Sequence, residues 1–120
     1  MEVDWFKCVG DVWCELKKVD VNHEFVSECN GVYIIWSGKG NERVILKVGS
    51  GNIKEHILAS RGNLAIKAFE YHGLYITWAE ISPLRRTGVE LYLLDTLEPR
   101  IIEDVPTAIK AKVNLPWDDD

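Results

Sequence analysis

The chain has 120 residues, of which 47% are hydrophobic and 28% are charged, and its formal net charge is −5. This length and composition indicate one globular domain with a hydrophobic core, residues 1–120, and exclude a disordered or fibrous chain. No apolar run approaches the roughly 18 residues of a membrane-spanning helix, and the first residues lack a signal-peptide pattern, so the sequence predicts a cytoplasmic protein without a membrane partner.

The charge is distributed unevenly along the chain. Residues 1–30 carry a net charge of −4, residues 39–86 carry +4 and residues 87–120 carry −5. A basic segment 39–86 permits a nucleic acid partner, because local potential guides association more than net charge does. A surface of mixed sign also keeps a small domain in solution, so the pattern is compatible with both explanations.

The first thirty residues have no clear periodicity. Segment 11–19 fits an amphipathic helix about as well as a short strand. Trp5 and Phe6 precede this segment and Trp13 lies inside it, and all three are expected to cover one side of the core. No chemistry is predicted here.

The cysteines Cys8, Cys14 and Cys29 are odd in number and lack the spacing of a metal site or a redox motif. This pattern predicts three free thiols in a reducing compartment.

Two runs rich in β-branched and aromatic residues, 31–36 and 43–51, are separated by turn-forming residues and predict a β-hairpin. If Trp36 pairs with Val44, then Tyr33 lies opposite Lys47 on one face of the sheet. These two side chains could equally be an ordinary strand aromatic and an edge-strand charge.

The hairpin is followed by the pattern of a helix over 52–61, with Asn52 as its N-cap and Gly62 at its end. His56 is expected along the edge of the buried stripe, either as a functional group or as a partly buried histidine bonded to a carbonyl. A short helix over 63–71 and a third strand over 74–81 are predicted next.

The last predicted helix places a carboxylate inside its apolar stripe. At about 100° per residue, Glu90 lies on the same face as Val89 and Leu93. Such a carboxylate must be paired, hydrogen-bonded, protonated or bound to a metal. If the helix begins at Ser82, Glu90 is interior, whereas if Thr87 begins it, Glu90 completes a capping box. Beyond Pro99 the chain is expected to be irregular, with a frayed acidic end at 118–120.

Taken in order, these segments resemble a GIY-YIG domain over about residues 31–100, with residues 1–30 as an N-terminal extension and 101–120 as an irregular tail. Gly31-Val32-Tyr33 stands where the family has its first motif, and Lys47-Val48-Gly49 begins 16 positions later, where the second is expected. The run 90–99 is similar to the family's closing Glu-x-x-Leu-Ile-x-x-Leu-x-Pro segment. The end of the chain, 113–117, also looks like that of small stand-alone members.

The resemblance implies an α/β sandwich whose central three-stranded antiparallel sheet is flanked by helices. It also implies a nuclease that cleaves phosphodiester bonds with one Mg²⁺ or Mn²⁺ ion. In that reading Glu90 holds the metal and Tyr33 activates or orients the attacking water. The physical logic is that the metal neutralises charge at the scissile phosphate while fixed donors stabilise the transition state.

Two positions depart from the family pattern. Lys47 replaces the second tyrosine, and His56 stands where the helix arginine is expected. Lys47 can contact a phosphate as a point charge, but a neutral histidine lacks the bidentate donors of arginine. Arg61 is a weaker substitute further along the helix. The resemblance therefore leaves two functions open: a nuclease with an altered site formed by Tyr33, Lys47, His56 and Glu90, or a degenerate module that binds nucleic acid or a protein without cleavage. In a third reading Glu90 is only a helix cap. The catalytic reading requires Glu90 and Tyr33 to face the same concave patch on one side of the sheet.

Overall fold

The computed structural model of the chain describes residues 1–118, and it contains four strands, four α-helices and two 3₁₀ turns. The strands are β1 (Cys14–Glu15), β2 (Asn30–Ser37), β3 (Val44–Asn52) and β4 (Leu74–Glu80). The α-helices are α1 (Glu24–Ser27), α2 (Ile53–Arg61), α3 (Leu64–Lys67) and α4 (Pro83–Leu97). The 3₁₀ turns are Gly40–Glu42 and Glu70–His72.

The strands form one antiparallel sheet in the order β1-β4-β2-β3. The predicted mixed α/β class is confirmed, and the three predicted strands are β2, β3 and β4. The predicted strand count was one too few, because β1 adds a two-residue strand that pairs Cys14 with Ile76. A strand this short carries almost no periodic signal, which is why the sequence did not separate it from a helix.

The register of the β2–β3 hairpin differs from the predicted one. Tyr33 pairs with Gly49, and Lys47 pairs with Ile35. Trp36 already pairs with Ile45 instead of Val44, and a β-bulge between Ile35 and Trp36 adds a second residue of displacement. Relative to the predicted pairing, the partner of Tyr33 is displaced by two residues. Since side chains alternate with a period of two, Tyr33 and Lys47 still share a face of the sheet, as neighbours along it rather than as a direct pair.

The sheet separates two hydrophobic clusters. On one face, Tyr33 and Ile35 of β2 pack against Ile53 and Ile57 of α2. On the other face, the alternate residues of β2 pack against Val89 and Leu93 of α4. These β2 residues are Val32, Ile34 and Trp36. Strand β2 is therefore buried on both sides, and its neighbour β3 is the last strand of the sheet.

The predicted helix after the hairpin is confirmed. It begins at Ile53 because the Asn52 side chain accepts a hydrogen bond from the Glu55 amide at 3.0 Å, and Gly62 follows its last residue. The second predicted helix is shorter than expected, since α3 ends at Lys67 and the 3₁₀ turn completes the segment.

The N-terminal segment and the tail pack against each other on the α4 side. The Asn114 side chain accepts a hydrogen bond from the Val3 amide and donates one to the Val3 carbonyl, at 2.7 and 3.1 Å. Trp5 donates its indole N–H to the Asn114 carbonyl at 2.9 Å. The tail has no regular element, as predicted, but it is fixed in place by these contacts. Residues 119 and 120 of the predicted acidic end lie outside the described residues.

Two expectations for the N-terminal segment are wrong. Trp5 and Trp13 pack on the α4 side whereas Phe6 packs on the α2 side, so the aromatic residues do not cover one side of the core. Cys8 and Cys14 form a disulfide with their Cα atoms 5.1 Å apart, and of the three cysteines only Cys29 is a free, buried thiol. The chain reverses at Gly10 and Asp11, both with positive φ, so that the Cys8 amide bonds to the Val12 carbonyl and the two sulfur atoms meet.

Within residues 1–118, no helix combines the length and apolar character needed to cross a bilayer.

Candidate functional site

A small cavity of about 140 Å³ lies at the outer edge of the sheet, around strand β3. All four residues proposed from the sequence line it: Tyr33, Lys47, His56 and Glu90. The remaining walls come from residues 48–50 of β3, from α4 and from segment 101–104 of the tail. We call this space the edge cavity.

Two glycines of β3 make room for the aromatic side of the edge cavity. A Cβ atom built on Gly49 would lie 2.7 Å from Cε1 of Tyr33, and one on Gly51 would lie 2.9 Å from Nε2 of His56. The Tyr33 and His56 rings contact each other with centroids 4.7 Å apart. Gly49 of the second motif and Gly51, two residues after it, therefore leave the space that these two rings occupy.

Glu90 reaches the edge cavity from the other side of β3. Helix α4 begins at Pro83 after Ser82, so Glu90 lies two turns inside it and the capping-box interpretation with Thr87 is wrong. The half-buried Glu90 carboxylate accepts a short hydrogen bond from the Ser50 hydroxyl of β3. This contact fixes the carboxylate against the edge strand and leaves its second oxygen for another ligand.

Lys47 is paired within the chain. Its ammonium group lies 3.2 Å from the Glu103 carboxylate, with 17% of the lysine side chain and 59% of the glutamate side chain exposed. Glu103 is positioned because the amides of Arg100 and Ile101 donate to the carbonyls of Ile45 and Leu46 at 3.1 and 2.9 Å. The start of the tail thus lies along the free edge of β3 and places the Glu103 carboxylate beside Lys47.

The four residues approach the edge cavity from two faces of the sheet. Tyr33, Lys47 and His56 come from the α2 side, whereas Glu90 comes from the α4 side. The expectation that Tyr33 and Glu90 share one side of the sheet is therefore wrong, and the condition set from the sequence for the catalytic interpretation is not met in that form. The two side chains line one cavity only because β3 is an edge strand with small residues, and this shared cavity is the support that remains for a common site.

The electrostatics of the cavity are dominated by carboxylates. Burial raises the pKa of the Tyr33 phenol above its ordinary value of about 10, and the charges of Glu90 and Glu103 raise it further. Tyr33 is 1% exposed. A neutral phenol beside two carboxylates can donate a proton in a hydrogen bond to water or to a ligand oxygen.

Several basic residues of segment 39–86 are used elsewhere in the fold. Arg61 donates to the Leu16 and Val19 carbonyls, which removes it as a substitute for the family arginine. Arg86 donates to the Ile81 carbonyl at 2.9 Å. These two guanidinium groups are bonded to backbone carbonyls, and neither lines the edge cavity.

The sequence did not identify three cavity residues: Ser50, Glu103 and Asp104. Ser50 follows the second motif and alternates with the two glycines, a position that points its side chain toward α4. The two tail acids had no local signal, because their place depends on pairing between residues far apart in the chain.

The donor set of the edge cavity suits a hard divalent cation held by few protein ligands. Glu90 offers a carboxylate at a space of about 140 Å³, and Mg²⁺ commonly takes one or two carboxylates together with waters and phosphate oxygens. Among residues 1–118, no group of three or more His, Cys, Asp or Glu side chains is arranged to hold a metal ion.

Comparisons of the chain with protein-family models, with curated proteins and with solved structures give no match.

Proposed function

We propose that the edge cavity is the site of a metal-dependent phosphodiesterase that cleaves nucleic acid, with Glu90 as the protein ligand of Mg²⁺ or Mn²⁺. The observation that supports this proposal most is that Tyr33, Lys47, His56 and Glu90 line one cavity although up to 57 positions separate them in the chain. They come from β2, β3, α2 and α4, and no local pattern would bring these four together by itself.

Each residue has a role that its surroundings support. The Glu90 carboxylate is oriented by the Ser50 hydroxyl, which would preset the metal ligand. The neutral Tyr33 phenol would orient the attacking water, and Lys47 would contact the phosphate as a point charge. His56 would assist from its position against the Tyr33 ring. When bound, the metal supplies charge neutralisation at the scissile phosphate.

One observation favours the second candidate, a degenerate module that binds without cleavage. Lys47 is already paired with Glu103, and together with Glu90 and Asp104 this makes the cavity lining more acidic than basic. A phosphate entering the cavity would have to displace Glu103 from Lys47. In this alternative the fold is retained, and the domain binds nucleic acid or a protein partner without cleaving a phosphodiester.

The deciding experiment measures Mg²⁺- or Mn²⁺-dependent cleavage of single-stranded, branched and duplex DNA and RNA. Glu90→Gln keeps the size of the side chain and removes the charge, so we expect it to abolish cleavage and to abolish Mn²⁺ binding measured by calorimetry. Glu98→Gln, the same change at the end of α4, is the matched control and should preserve both. Tyr33→Phe should slow cleavage by about 10²-fold or more.

The outcomes separate the two candidates. Cleavage that survives Glu90→Gln would refute the assignment of the metal ligand. Absence of cleavage by the unsubstituted protein, together with nucleic acid binding that does not need a metal, would support the binding module.

A cytoplasmic location stays a prediction, and the Cys8–Cys14 disulfide bears on it because disulfides persist mainly in oxidising compartments. Counting reactive thiols in the unfolded protein, purified without reductant, gives one thiol if the disulfide is kept and three if the compartment is reducing.

A further inference from the structure

A second and larger cavity lies far along the sheet from β3, between the N-terminal segment, α1 and β4. Its volume is about 580 Å³, and aromatic rings form its floor: Phe6, Phe25 and Trp78. Phe6 stacks on Trp78 with centroids 4.6 Å apart, and Phe25 lies beside Phe6 at 6.2 Å. Phe25 is 58% exposed, which is unusual for a phenylalanine whose ring contacts the core.

The rim of this cavity is entirely acidic. It carries four carboxylates from the N-terminal segment, from α1 and its C-cap, and from the end of β4: Asp4, Glu24, Glu28 and Glu80. Within residues 1–118 none of the four forms an ion pair. We call this cavity with its floor and rim the acidic groove.

Two cations of adjacent segments, Lys7 and Arg86, make their contacts outside this cavity. Lys7 lies 3.7 Å from Asp11 and 4.6 Å from the centre of the Trp13 ring, and Arg86 donates its guanidinium N–H groups to the Ile81 carbonyl. Burial raises the pKa of the Cys29 thiol in the groove wall, and the charge of Glu80 raises it further while Arg86 opposes this. The four carboxylates of the groove therefore outnumber the one cation, Arg86, whose charge reaches its wall, and the potential of the groove is negative.

The groove also continues beyond its aromatic floor. Glu28 and Glu80 line a neighbouring cavity of about 590 Å³ that extends along the start of α4, past Ser82 and Pro83 to Arg86, so its far end is basic while the end shared with the groove is acidic. The two cavities share these carboxylates, so an extended chain could lie across both. A single small cation would fill only a fraction of this space.

From the aromatic floor, the unpaired acidic rim and the length of the groove, we propose that the acidic groove binds a basic segment of a protein partner. An arginine or lysine side chain of that segment lies over the Phe25 ring with its apolar stem on Phe6 and its charge between Glu28 and Glu80. Cations are attracted to aromatic faces, and the apolar stems of long basic side chains bury well on such rings. Complementary charge then selects the partner and speeds its association. This proposal does not depend on the function of the edge cavity.

The test measures binding of a fluorescein-labelled hexa-arginine peptide to the full chain by fluorescence anisotropy. Two variants address the two parts of the groove. Phe25→Ala removes an exposed ring, and we expect it to weaken binding about fivefold, in line with one cation–π contact at a half-exposed site. Glu28→Gln with Glu80→Gln should weaken binding by about tenfold or more, because both charges would contact the same side chain.

The matched control is the double variant Glu42→Gln with Glu98→Gln, which changes the net charge equally at two exposed residues outside the groove. If this control weakens binding as much as the groove variants do, the peptide binds only the overall negative charge and the proposal is wrong. Binding insensitive to Phe25→Ala would also overturn it, as would spermine competing as well per charge as the peptide, since a polyamine needs no aromatic floor. Circular dichroism of each variant confirms that the fold is retained.

Discussion

The Tyr33 ring lies over the α-carbon of Gly49, its direct partner in the neighbouring strand, so that a Cβ on Gly49 would meet ring atom Cε1 at 2.7 Å. Each of the two residues belongs to one of the short motifs recognised in the sequence. The Tyr33 ring of the first motif therefore explains why the second motif has a residue without a side chain at position 49. This pairing places the phenol at the sheet edge, within the edge cavity.

The first prediction concerns this close contact. Gly49→Ala should displace the Tyr33 ring from a buried position and lower the free energy of unfolding by about 1–3 kcal/mol, the usual range for overpacking in a core. Urea denaturation followed by tryptophan fluorescence measures the change. Gly62→Ala is the control, because its Cβ would meet no atom closer than 3.8 Å and its φ is −95°. An unchanged midpoint for Gly49→Ala would mean that the ring does not occupy this place.

The second prediction follows from the raised pKa of Tyr33. Above about pH 10 the phenol ionises in the unfolded chain but stays protonated in the folded one, so unfolding releases a proton and stability falls as the pH rises. Below pH 10 the phenol is neutral in both states, so it does not change the free energy of unfolding with pH. In Tyr33→Phe this part of the decline is absent, so the unfolding free energy should fall less steeply than in the unsubstituted protein.

Urea unfolding at pH 9, 10 and 11 measures the two slopes, and their difference should not exceed about 1.4 kcal/mol per pH unit for a single group. Tyr71→Phe is the control, because Tyr71 is 80% exposed. Equal slopes for Tyr33→Phe and the unsubstituted protein would show that the phenol ionises in the folded state as readily as in the unfolded one.

The elements that the sequence predicts correctly are those with strong local signals. The β-branched runs of β2 and β3 and the cap at Asn52 depend on residues close in the chain, and the structure confirms them. Glu90 inside α4 follows from helical periodicity once Ser82-Pro83 begins the helix. These signals place the four site residues on their elements, but the choice of the four as one site came from the resemblance to the GIY-YIG pattern, and their convergence on one cavity depends on tertiary packing.

What the sequence could not provide depends on contacts between distant residues. The bulge beside Ile35 shifted the pairing of Tyr33, and no turn residue marks it. The place of Glu103 is set by pairing of the tail with Ile45 and Leu46, across more than 50 positions. The disulfide of Cys8 and Cys14 is a different case, because it depends on a local chain reversal at Gly10 that their spacing alone does not reveal.

The third prediction concerns the ion pair of Lys47. Glu103→Gln removes the partner of a mostly buried ammonium group, and because Glu103 is well exposed the cost in stability should stay below about 1 kcal/mol. The released lysine makes the edge cavity less acidic, so we expect several-fold tighter binding of a single-stranded oligonucleotide at low salt, measured by fluorescence anisotropy. Glu98→Gln controls for the change in net charge. Equal affinities of the two variants would show that Glu103 does not shield Lys47 from anions.

The last prediction tests whether the two ends of the chain stabilise the fold together. Asn114 makes two side-chain hydrogen bonds to the backbone of Val3, in a partly buried position on the α4 side of the sheet. Asn114→Ala would leave the Val3 amide and carbonyl unpaired beside the core, so we expect the unfolding free energy to fall by about 1–3 kcal/mol.

Hydrogen exchange distinguishes this effect from a general loss of stability. The Val3 amide should exchange much faster in Asn114→Ala, whereas the β2 amides should change only by the global loss of stability, because opening of the terminal segment does not require unfolding of the sheet. Asn22→Ala is the control, since within residues 1–118 its side chain makes only a solvent-exposed hydrogen bond, which it accepts from the Lys54 ammonium group. If Val3 exchanges at the same rate in both variants, the terminal segment is held by Trp5 and the neighbouring apolar contacts rather than by Asn114, and the tail then stabilises the α4 side through packing alone.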